Sequence, residues 1–164
     1  MTRRLGLTAF LLAPLAAVPV LPSAACAQSS AAPSPRAQAG EGKQHRVVIQ
    51  VSENDPKIMN LALNNAENLA KFYEQSGEAA QIEIVAYGPG LNMVRSDTSP
   101  VKDRLAALVG RPQPITFTGC GNTMSAQSKQ EGKELTLLPE TRLVPTGIGR
   151  IVQLQEQGWT YIRP

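Results

Sequence analysis

The part of this chain best suited to chemistry is a single thiol set between two glycines, Gly119-Cys120-Gly121. The apolar, β-rich run Ile115-Thr116-Phe117-Thr118 precedes it, and Asn122-Thr123-Met124 follows as a helix start. A thiol at a strand-to-helix turn lies at the positive end of a helix dipole, which favours the thiolate. Gly121 leaves the sulfur unscreened, and Gly119 is expected to let the chain turn sharply. Asn122 and Thr123 are placed to cap the helix or to donate hydrogen bonds to sulfur. The chemistry such a site performs is sulfur carriage. The thiolate accepts a sulfane sulfur as a persulfide and passes it on when another thiol attacks. That reading requires an accessible sulfur; the competing one is a small thiol that merely packs at a strand end.

Other residue types narrow the choice. The only histidine, His45, opens the first strand, at the sheet edge opposite Cys120, so no Ser-His-Asp or Cys-His pair is available there. Zinc sites want several Cys or His ligands, which this composition does not supply, and neither a dinucleotide-binding nor a phosphate-binding glycine motif follows a strand. No metal and no cofactor are expected. Around Cys120 the expected substrate-binding set is Gly121, Asn122 and Thr123, joined from neighbouring loops by Tyr87, Gly88, Gly90 and Ser52. Gly88-Pro89-Gly90 reads as a tight turn or an anion cradle. Glu53 and Asp55 read as helix caps, with acid/base chemistry the alternative.

These loops are brought together by an alternation of strands and helices. Val47, Val48, Ile49 and Val51 suit a buried strand running from His45. Pro56 opens a helix in which Ile58, Leu61, Ala62, Leu69 and Phe72 recur at helical spacing to about Tyr73. Ile82 to Tyr87 is a second strand, Val101 to Leu108 a second helix, and residues 114–119 a third strand ending at Cys120. A weakly apolar third helix spans about 122–131. Thr141 to Val144 is a short strand, Ile148 to Leu154 a fourth helix closed by Gly158, and Trp159 to Ile162 a last strand. This pattern predicts an α/β fold: a mostly parallel five-stranded sheet between helix layers, with ligands at the carboxyl ends of the strands.

Residues 1–27 read as an export signal: Arg3 and Arg4, an apolar stretch broken by Pro14 and Pro19, and Ala25-Cys26-Ala27 as the cleavage site. Twin-arginine export and lipidation at Cys26 are the variant readings. The expected location is the periplasm, without a membrane span. Residues 28–44, rich in Ser, Ala, Pro, Gln and Gly, read as a disordered tether, leaving one domain over 45–164. The full chain carries 16 Lys and Arg against 13 Asp and Glu; without Arg3 and Arg4 the balance is 14 to 13. No basic cluster with aromatics remains, so nucleic-acid binding is not expected.

Several stretches together resemble the DsrE/DsrF-like family: Val47-Val48-Ile49-Gln50-Val51-Ser52, Leu61-Ala62-Leu63-Asn64-Asn65-Ala66, Ile82 through Gly90, Cys120-Gly121-Asn122-Thr123-Met124 and Gly158-Trp159-Thr160-Tyr161-Ile162. The resemblance runs from about residue 46 to the C-terminus. It implies a three-layer α/β/α domain, homo- or hetero-oligomers, and a sulfur-accepting cysteine after a central strand, for which Cys120 is the matching position. A periplasmic sulfur carrier with a thiol-bearing partner protein is the resulting expectation. A non-catalytic anion-binding or assembly module with a structural cysteine is the alternative.

Overall fold

The computed structural model describes residues 44–164. The export signal with Arg3, Arg4 and Cys26, and the tether up to residue 43, lie outside the described residues. Gln44, assigned to the tether from sequence, already pairs with Ala79 as the first residue of a strand.

Five strands alternate with four helices: β1 (Gln44–Val51), α1 (Pro56–Gln75), β2 (Ala79–Ala86), α2 (Lys102–Leu108), β3 (Ile115–Cys120), α3 (Gly121–Glu131), β4 (Thr141–Val144), α4 (Gly147–Glu156) and β5 (Thr160–Ile162). A short 3-10 helix, Gly88–Val94, follows β2. The sheet order is β4-β3-β2-β1-β5 and every pairing is parallel, with helices on both faces, a three-layer α/β/α fold. Among the described residues no helix is long and apolar enough to cross a membrane.

Topology explains the two unequal layers. The steps β1 to β2 to β3 to β4 all move one way across the sheet, so right-handed crossovers place their helices on one face. There Val47, Ile49, Val51, Ile82, Ile84 and Phe117 meet Met59, Leu63, Ala66 and Leu105 in the main core. The return from β4 to β5 moves the other way, so among the described residues α4 alone covers the opposite face, packing Ile151 and Leu154 on Val48 and Val85. Ten residues of helix make about 15 Å, while β4 and β5 stand four strand spacings apart, about 19 Å. A helix so committed to the diagonal leaves two corners of its face open.

Helix α1 begins where the sequence reading put it. Asp55 is its N-cap, accepting from the Lys57 N–H at 2.8 Å, and Pro56 stands at its first turn. Its buried stripe, however, is Met59, Ala62, Leu63, Ala66 and Ala70, whereas Leu61 and Phe72 are exposed. The three alanines let the helix axis approach the sheet closely, with Met59 and Leu63 filling the core between them, and Leu61 and Phe72 lie outside this stripe. Helix α3 buries no residue at all. Met124, partly buried, packs against the main core, and polar contacts supply the rest: Arg95, itself buried, donates to Glu131 (2.9 Å), Gln127 (3.3 Å) and Asp97 (2.9 Å), and Gln127 donates to the Gly88 carbonyl (3.1 Å).

One buried charge sits on the α4 face of the sheet. Glu83, 3% exposed, takes the Nε and Nη2 of Arg150 at 2.8 and 2.7 Å and the Thr118 hydroxyl at 2.8 Å. Such a pair is costly to break because one charge is then left without its partner. Glu83→Ala should lower unfolding stability by about 3–5 kcal/mol, and the double change Glu83→Leu with Arg150→Met should recover most of it, both read by denaturant unfolding. The clamp on α3 gives an acid signature. Arg95 and Lys133 pull Asp97 well below the carboxylate range, and Arg95 holds Glu131 down to about 2. Folded-state values depressed in this way supply stability above the ordinary carboxylate pKa, and it drains away as pH falls towards those lower values. Acid unfolding of Arg95→Ala should therefore show a shallower decline across that window than the wild type.

Candidate functional site

Strand β3 delivers Cys120 to the carboxyl edge of the sheet, and the next residue starts α3. Register places Cys120 beside Val144, the last residue of β4, so the loop Pro145-Thr146 and the start of α4 return directly over it. The sulfur thus lies between the N-termini of two helices. Gly147 makes this possible: a Cβ there would stand 2.9 Å from that of Tyr87 and 3.2 Å from that of Cys120.

The cover changes the expected exposure. The sequence reading called for an accessible thiol, but Cys120 is 4% exposed and makes no disulfide among the described residues. Burial alone pushes the thiol pKa up. The Thr123 hydroxyl and the backbone N–H groups of Gly147, Thr123 and Asn122 act against burial, and the net result is a pKa below the ordinary thiol value. Three of these groups belong to the first turn of α3 and one to the first turn of α4, where N–H groups concentrate positive charge; of them, the Asn122 N–H also donates to the Pro145 carbonyl at 3.0 Å.

Thr123 is oriented as well as close. Its Oγ1 accepts from the Gly88 N–H at 3.0 Å, which leaves the hydroxyl proton free for sulfur. Gly88 takes φ of 54°, the left-handed region that glycine adopts without strain, and so turns its amide towards α3. Thr123 also lines a polar cavity of about 530 Å³ shared with Asn54, Asn92 and Gln127. Thr123 is common to that cavity and to the surroundings of the sulfur, while Cys120 does not line the cavity.

The other sequence candidates are distributed unevenly. Gly121, Asn122 and Thr123 gather at Cys120, and Tyr87 packs against Gly147 beside it. Gly90 is buried away from the sulfur; a Cβ there would meet the backbone of Val51 and sit 2.8 Å from the Ser52 nitrogen, so its role is close packing of the 3-10 helix on β1. Gly119 is not a turn residue. It lies within β3, where a Cβ would stand 2.7 Å from Leu137 Cδ1. Ser52 belongs to a hydrogen-bonded run in the open corner near β5: Tyr161 donates to Gln50 (2.6 Å), and Gln50 donates to Ser52 (3.1 Å). Burial raises the Tyr87 pKa, Tyr161 adds to the rise, and Arg163 and Ser52 oppose it. Glu53 pairs with Arg163 at 3.1 Å on the surface, and Asp55 caps α1, so neither serves the sulfur.

Sequence reasoning missed Gly147 and the Glu83–Arg150–Thr118 group. The first had a signal, since Pro145-Thr146-Gly147 directly follows the strand Thr141 to Val144 and so falls at the carboxyl edge of the sheet. The second had one too, an acid inside the apolar run Ile82-Glu83-Ile84-Val85.

No family model and no curated protein matches the chain. Among solved structures it is similar to MTH1491 from Methanobacterium thermoautotrophicum, described as a protein of unknown function. The two are 36% identical with a TM-score of 0.63, over 73% of this chain and 99% of that one.

Thr123→Ala should raise the Cys120 pKa, and Thr123→Ser should leave it near the wild-type value, as followed by thiolate ultraviolet absorbance against pH. Gly147→Ala should raise it too, by displacing the start of α4. Because the folded thiol is more acidic than the unfolded one, the wild type should gain stability as pH rises from the folded pKa to the ordinary thiol pKa. Thr123→Ala should shrink that gain.

Proposed function

We propose that this chain, which belongs to the same protein family as MTH1491, carries sulfane sulfur on Cys120. The observation that carries the reading is the convergence of a hydroxyl and three backbone N–H groups, from two helix N-termini, on one sulfur with a lowered pKa. Such a cage stabilises an anion without any side-chain base.

The transfer balances without an oxidant. The Cys120 thiolate attacks the outer sulfur of a donor persulfide, a new sulfur–sulfur bond forms, and the donor leaves as its own thiolate. A second thiolate, from a partner protein, then attacks the outer sulfur on Cys120 and releases the original thiolate. The same donors that hold the free thiolate stabilise it as the leaving group. The polar cavity next to Thr123 is the approach for the donor. The DsrE/DsrF-like resemblance supports this activity and a homo-oligomeric state, and the pattern of residues 1–27 supports export to the periplasm.

The 4% exposure of Cys120 favours a second reading, an anion-binding or assembly module in which the cysteine is structural. Intact mass of the native protein after treatment with inorganic polysulfide separates the two. Sulfur-sized additions on the wild type that vanish in Cys120→Ser support carriage. A native thiol that stays unmodified by polysulfide and by a small alkylating reagent, yet reacts once the chain is unfolded, establishes the structural role.

A further inference from the structure

The corner of the sheet that α4 leaves open beside β4 forms a groove of about 550 Å³. It shares no lining residue with the sulfur site. Its size is that of a small-molecule pocket. Thr118 lies on its floor, Arg142 and Glu140 come from β4 and the turn before it, and Arg150 and Trp159 from α4 and the turn after it.

Three guanidinium groups line this groove; Arg111 is directed to the Ala107 carbonyl (3.5 Å) and Glu67 (3.9 Å), and the other two have capacity to spare. Arg150 spends Nε and Nη2 on the buried Glu83, which fixes the plane of its fork and leaves Nη1 without a partner among the described residues. Arg142 is exposed and makes no ion pair or side-chain hydrogen bond among the described residues. The two are close neighbours in the sheet: Arg142 is the register partner of Thr118, one strand spacing of about 4.8 Å away, and Thr118 donates to the same Glu83 that holds Arg150. Trp159, partly buried, supplies a flat apolar surface in the same groove. Glu140 is the one carboxylate of the lining not neutralised by an arginine, and it opposes an anion.

We propose that this groove binds a small planar organic anion, with its ring on Trp159 and its carboxylate or phosphate head between Arg142 and Arg150. Arginine forks recognise either head through paired hydrogen bonds, and an aromatic wall holds the ring. The site is independent of Cys120.

Trp159 is the only tryptophan of the chain, so its emission reports binding directly. Titration of the full chain with benzoate and with phenyl phosphate should give a saturable change with at least one of them, the two arms distinguishing the head group. The neutral isostere benzamide should bind at least about ten-fold more weakly, and Arg142→Ala should weaken the anion by a similar factor. Glu140→Gln should tighten it, and Cys120→Ser should leave it unchanged. Arg142 is exposed on an edge strand, and circular dichroism of its variant confirms the fold. Equal binding of benzamide, an Arg142→Ala titration superimposable on the wild type, or no saturable change with either anion overturns the proposal. So does self-association that buries Trp159 and excludes both anions.

Discussion

Two helix N-termini meet at one sulfur atom, and much of the carboxyl edge of this sheet is arranged to permit it. Burial of a thiol works against its anion, and a single helix dipole is a modest counterweight. Here the first turns of α3 and α4 both lie against the sulfur and, with the Thr123 hydroxyl, bring its pKa down against burial. The arrangement depends on Gly147, because any side chain there would wedge α4 away from β3. It depends equally on Gly88, whose amide occupies the acceptor side of Thr123 and so directs its proton.

The helix that supplies the first of these contacts, α4, is where it is because of strand order. Four strands laid down in one direction place their connections on one face, and the single return to β5 must cross the other. Starting at the carboxyl end of β4, α4 passes over the sulfur; ending before β5, it runs out at the opposite edge. One diagonal helix therefore closes the thiol site and opens the groove of Arg142 and Trp159. The buried Glu83–Arg150 pair lies under that diagonal and joins β2 to α4.

The second contact, α3, is held differently. With no fully buried residue, it is held by Arg95, Gln127 and Thr123 together with Met124, which packs partly buried against the main core. A helix docked by polar contacts can shift at lower cost than one seated in the core. The thiol site is thus built between one apolar-packed helix and one polar-docked helix, with the polar cavity on the side of the latter.

Local chemistry was enough to read the element order, because β-branched runs, proline at a helix start and glycine at element ends act within a few residues of chain. On that basis β1 through β5 and the four helices were legible, β4 to the residue, and so was the gathering of Cys120, Gly121, Asn122 and Thr123, which are contiguous. Burial was less legible: spacing alone does not say which of two adjacent stripes on α1 faces the sheet, and close packing selected the alanines over Leu61 and Phe72. The shielding of Cys120, the close approach of Gly147 to it and the pairing of Glu83 with Arg150, 67 residues away, belong to tertiary structure alone. Each joins segments distant in sequence, and the crossing of α4 over the sheet, set by strand order, is what brings them into contact.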